Sequence, residues 1–103
     1  MAMETMKREE ILQKAEKKGR MALVDPVPDP TEEGVRAWRG NVKEYFRGVC
    51  DDLIADSHAP EMKNEILDAL QKGFESVMKK QPESDVPIDS AIKQLKEVFM
   101  QLR

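Results

Sequence analysis

From residue 31 onward the apolar side chains recur at helical spacing in three successive stripes, and that periodicity confines the chain to packed helices. In the first stripe Val35, Trp38, Val42, Tyr45, Phe46, Val49 and Leu53 share one face. The helix they define is predicted to run to about residue 56, a length of roughly 37 Å. Thr31 is a good N-cap, and Glu32 and Glu33 sit where the positive end of the helix dipole favours carboxylates. Gly40 and Gly48 interrupt this helix. Each costs about 1 kcal/mol relative to alanine, and marks either a tolerated glycine or bend, or the close approach of a neighbouring helix.

Ser57-His58-Ala59-Pro60-Glu61 reads as a turn and a restart, with Pro60 in a first helical turn. Met62, Ile66, Ala69, Leu70, Gly73 and Val77 then line one face, and Leu67, Phe74 and Met78 widen it to nearly half the circumference. A face that wide implies contact with more than one neighbour. Lys79-Lys80-Gln81-Pro82 ends this helix. The last helix is predicted over about residues 86–101, with Pro87 in its first turn and Ser84 or Asp85 as cap. Its stripe is Ile88, Ala91, Ile92, Leu95, Val98, Phe99 and Leu102, too short for a free-standing coiled coil.

Upstream, Val24-Asp25-Pro26-Val27-Pro28-Asp29-Pro30 prevents helix and favours an extended strut. It separates a further helix, about residues 5–22, from the rest. Ile11, Leu12, Ala15, Ala22 and Leu23 are expected on one face of it, amid Lys7, Arg8, Lys14, Lys17, Lys18 and Arg20. Residues 1–20 are net basic and the remainder net acidic, as for an arm that acts separately. The fold class expected is therefore all-α: a three-helix antiparallel bundle over residues 31–103, packed up-down-up because its connections are short. An N-terminal helical arm, residues 1–23, joins it through the proline-rich linker 24–30. The arm is expected either to dock on a partner or to be a tail or fourth bundle helix.

A chain of 103 residues, 40% apolar and 36% charged, has the makings of one solvated globule with one core. Its net charge of -3 opposes nucleic-acid binding by the whole chain, because phosphate recognition needs a basic surface. No segment approaches the roughly 20 apolar residues of a membrane span, and the N-terminus lacks the apolar run of a signal peptide. Cys50 is the only cysteine, which rules out an intrachain disulfide and a cysteine zinc site and points to a reducing, cytoplasmic setting.

Reactive groups are few. His58 is the only histidine, with Asp51, Asp52, Asp56 and Glu61 near it in sequence. One imidazole with surface carboxylates is a poor metal site, so no metal is expected. Cys50 paired with His58 as base is the conceivable nucleophile, but its place at the edge of an apolar stripe is that of a small buried hydrophobe. There is no glycine-rich phosphate loop.

Ala55-Asp56-Ser57, followed by Glu65-Ile66-Leu67-Asp68-Ala69-Leu70 and Phe74, resembles an acyl or peptidyl carrier protein over about twenty residues. In that family an Asp-Ser-Leu triplet opens the second helix and the serine carries phosphopantetheine, so the resemblance implies Ser57 as the attachment point. His58 stands where the family has leucine, three extra residues precede the Glu-Ile-Leu stretch, and the long loop before the serine is missing. Helix-end and capping roles also explain Asp56 and Ser57.

The function expected is non-enzymatic: a protein-binding, regulatory or adaptor module acting through helical surfaces, with neither cofactor nor metal. The alternative is a carrier-like domain modified at Ser57, or a small enzyme using Cys50 and His58. The partner surface is expected at Ile11 and Leu12 of the arm and at Leu67, Phe74 and Met78 of the third helix. Three helices leave such a wide face partly open, so something should cover it: the arm helix folding back, a second copy of the chain or a foreign partner, of which self-association about a two-fold axis is the commonest closed solution.

Overall fold

Thr31 starts the longest helix as its residue type requires. Its backbone is extended (φ -92°, ψ 158°) and its hydroxyl accepts from the Gly34 amide at 2.9 Å. A side chain at Gly34 would overlap Asp29 and Thr31, so this cap needs a glycine. In the computed structural model, which describes residues 8–81 and 87–103, the order is α1 (Arg8–Arg20), α2 (Glu32–Ser57), a single 3-10 turn (Pro60–Met62), α3 (Lys63–Lys79) and α4 (Ile88–Leu102). No strand occurs among the described residues, and none of the helices is long and apolar enough to cross a membrane. The all-helical expectation holds, with the described helix ends within about three residues of those read from periodicity and caps. Pro60 opens the 3-10 turn rather than α3 itself, and Pro87 immediately precedes α4. Ser84 and Asp85, the expected caps of α4, and residues 5–7 of the first helix lie outside the described residues.

Of the roles left open for the first helix, the structure shows the fourth bundle helix: α1 packs on α3 rather than standing apart as an arm. α1 lies directly on α3, with Ile11, Ala15 and Gly19 buried along one edge. A Cβ on Gly19 would overlap the Leu70 carbonyl oxygen and lie 3.1 Å from the Phe74 nitrogen. A Cβ on Gly73 would overlap the Glu16 carbonyl oxygen and lie 3.0 Å from the Arg20 nitrogen. Two backbones therefore touch where two side chains are missing, which draws dispersion contacts from main-chain atoms. Arg8 pairs with Glu65, and Lys72 approaches Glu16 at 3.7 Å, so the two helices run parallel. Gly40 and Gly48 have open space where a Cβ would go, so the close helix approach belongs to Gly19 and Gly73 instead.

The other neighbours follow from equally specific pairs. Arg39 reaches Gln94 and, at 2.8 Å, Glu97, while Lys43 donates to Gln101 at 3.1 Å, so α2 and α4 are parallel. Arg103 at the end of α4 bonds Asp68 and the Asn64 carbonyl near the start of α3, so those two are antiparallel. Around the bundle the order is α1, α3, α4, α2, with α2 and α3 also touching across the middle and α1 and α4 apart. The up-down-up course of the last three helices is as expected.

At the centre Phe46 is fully buried between Tyr45, Phe74 and Phe99, with ring centroids 5.2, 5.3 and 5.1 Å away. Leu53, Ile66, Leu70, Leu95 and Val98 extend this core along the bundle. The proline-rich segment packs back on α2: Pro28 is buried, and the buried Trp38 indole donates to the Asp25 carbonyl at 2.7 Å. That bond satisfies the one polar atom of a large buried ring.

α2 ends at His58, whose backbone is left-handed (φ 52°, ψ 39°) and whose amide bonds the Ile54 carbonyl. Glycine takes that conformation without the clash a Cβ brings. His58→Gly is expected to stabilise the fold by about 0.5–1 kcal/mol, the relieved strain outweighing the freer unfolded chain. A higher urea midpoint at unchanged slope is the expected readout, and a lower one contradicts it.

Candidate functional site

The reactive side chains do not assemble into a constellation. Cys50 is buried in α2, and burial pushes its thiol up from its ordinary range; Asp51 adds to the rise and Lys63 opposes it. A thiol held protonated is a poor nucleophile. His58 lies eight residues on, about 12 Å along the helix axis, beyond hydrogen-bond reach of the sulfur. Its side chain faces solvent past the helix end. Ser57 is 4% exposed, and its Oγ has no hydrogen-bond partner among the described residues. Asp51, Asp52 and Asp56 are exposed on α2, and among the described residues no three His, Cys, Asp or Glu side chains stand close enough to hold a metal ion.

The expected partner residues are also placed differently. Ile11, Leu67, Phe74 and Met78 are at most 2% exposed, and Leu12 is half-buried against the same core. The wide face of α3 does meet several neighbours, as its width implied, but one of them is α1 of the same chain. These residues therefore form interior rather than surface, and the expectation of an open α3 face is corrected.

What stays outside is elsewhere. Met21 is 65% exposed and Leu23 87%, just past the end of α1. With half-buried Tyr45 and Val49 of α2 they line a groove of about 470 Å³, flanked by Lys14, Lys17 and Lys18 on α1. At helical spacing these lysines occupy one side together with Met21. Among the described residues none of the three is in an ion pair. A second cleft of about 480 Å³ shares Leu23 and Tyr45 with the first and continues toward the start of α2. Its charged members are Asp25, Asp29 and Glu44, and its floor includes Trp38. Arg39 and Lys43 are directed at α4, and among the described residues none of these three carboxylates is in an ion pair.

Sequence reasoning saw the lysines but not this surface. It assigned Leu23 to the face of Ile11 and Ala15, whereas the helix stops at Arg20 and Leu23 turns outward. It also set Tyr45 and Val49 on one apolar face with Trp38 and Phe46, without showing that these two are only partly covered. The fold and this surface define a four-helix protein with a two-signed groove. No family model, no curated protein and no solved structure matches the chain.

Proposed function

We propose that this protein is a non-enzymatic interaction module, regulatory or adaptor in kind, that binds a protein partner through the groove between α1 and α2. One observation carries this reading: the solvent-facing apolar side chains Met21 and Leu23 stand together with Tyr45 and Val49 in a single groove with charged edges. An apolar centre with a polar rim is the anatomy of a protein interface. Chemistry finds less support, since the thiol is buried, the imidazole is distant from it and the serine is enclosed. A lone buried cysteine accords with a reducing, cytoplasmic setting, and the acidic chain does not suit nucleic acid.

The carrier alternative makes the opposite demand. A prosthetic arm on Ser57 needs a hydroxyl in solvent, whereas this one is enclosed beside Ala59 and Met62. Intact mass spectrometry of the protein recovered from its own cells under gentle conditions separates the two. The interaction module is expected as an unmodified chain in a stoichiometric assembly that Leu23→Glu disrupts. A phosphopantetheine adduct on Ser57 contradicts it.

A further inference from the structure

We propose that the groove between α1 and α2 is the interface of a two-fold dimer, in which the lysine half of one protomer meets the carboxylate half of the other. This rests on the interaction-module reading and names the occupant: a second copy of the chain.

The two clefts form one strip along α2, from Gly34 to Val49, about 22 Å long. One end carries Lys14, Lys17 and Lys18, and the other carries Asp25 and Asp29. Leu23 and Tyr45 belong to both clefts and so mark where the basic part gives way to the acidic part, with Glu44 beside them. A two-fold axis lying in the contact plane across Leu23 and Tyr45 inverts the strip. Each lysine end then faces the partner's acidic end, twice over. Leu23, the most exposed large apolar side chain among the described residues, packs near its own symmetry mate. Two-fold interfaces must be self-complementary, and a strip with opposite charges at its ends and apolar residues at its centre satisfies that condition.

Helix α2 adds an independent feature. At 100° per residue Gly48 lies about 40° from Glu44 and about 60° from Tyr45 around α2, and nothing stands within 4 Å of the place its Cβ would occupy. Within the protomer this glycine has no packing reason, whereas a bare helix surface lets another helix come close. An anionic membrane is a poorer occupant, because half the strip is acidic.

The test is the association state of the full chain by sedimentation velocity, with two charge-reversal pairs. The wild type is expected to be a dimer at micromolar concentration that dissociates at high salt. Lys17→Glu with Lys18→Glu, and separately Asp25→Lys with Asp29→Lys, are each expected to weaken the dimer by about tenfold or more. Their circular dichroism melts must stay near that of the wild type, since all four side chains are exposed. Mixing the two variants restores the dimer, because the reversed ends are complementary to each other. A strict monomer up to the solubility limit overturns the proposal. So does a dimer indifferent to both reversals, or a mixture that stays monomeric. If the chain is monomeric but a foreign protein co-purifies and is lost with the lysine reversals, the second copy is excluded while the interaction module stands.

Discussion

Removal of residues 1–23 is expected to leave a chain that no longer melts cooperatively. The truncated chain keeps the three clearest apolar stripes, yet loses the helix that covers the outer side of α3. Ile11 and Ala15 vanish from the core, and the α3 face around Leu70 and Phe74 opens to water. Each large apolar side chain returned to solvent costs about 1.5–3 kcal/mol. A domain of this kind has only about 5–15 kcal/mol in all. Two or three such exposures therefore consume most of the stability, and the uncovered patch promotes aggregation. Thermal unfolding followed at 222 nm is the measurement, and a soluble remainder with a sharp transition near that of the full chain contradicts the expectation.

Phe46→Ala is expected to cost about 3–5 kcal/mol, the range for emptying a large aromatic site in a packed core. Phe46 touches rings from its own helix, from α3 and from α4, so three of the four helices lose a contact at once. Edge-to-face and tilted ring pairs add about 0.5–1.5 kcal/mol beyond area burial. Met100→Ala is the control: it is 72% exposed and should change stability by about 0.5 kcal/mol at most. Urea titrations of both variants check the pair, and equal effects at the two positions would displace Phe46 from the centre of the core.

The elements that were legible in the sequence are those whose signals are local. Thr31, Glu32 and Glu33 announced the start of α2, and Ile88, Leu95, Val98 and Phe99 announced the inner side of α4. The place of α1 was not legible for a physical reason. Its contact with α3 is made by main chain at Gly19 and Gly73 and by the methyl of Ala15, residues with little hydrophobic weight. A periodicity search weighs large side chains and so finds only Ile11, Leu12 and Leu23 there, which looks like a thin stripe on a loose arm. The width of the α3 face at Leu67, Phe74 and Met78 did signal a further neighbour. What it lacked was any indication of which neighbour it was: the arm of the same chain, a second copy or a foreign partner. The groove was missed because it depends on where α1 stops. Periodicity carried past Arg20 turns Leu23 inward, while the real chain leaves the helix and turns it outward.

The backbone contact between α1 and α3 is tested most directly by the stability of Gly73→Ala against Gly40→Ala. In an open helix interior the change from glycine to alanine gains about 1 kcal/mol, and Gly40 has that open space. At Gly73 the added methyl collides with the Glu16 main chain, which cannot yield as a flexible side chain would. The collision forces the helices apart at an overpacking cost of about 1–3 kcal/mol. Denaturant midpoints should therefore move in opposite directions, up for Gly40→Ala and down for Gly73→Ala. If Gly73→Ala stabilises the protein as Gly40→Ala does, α1 does not pack on α3 and the four-helix bundle is wrong.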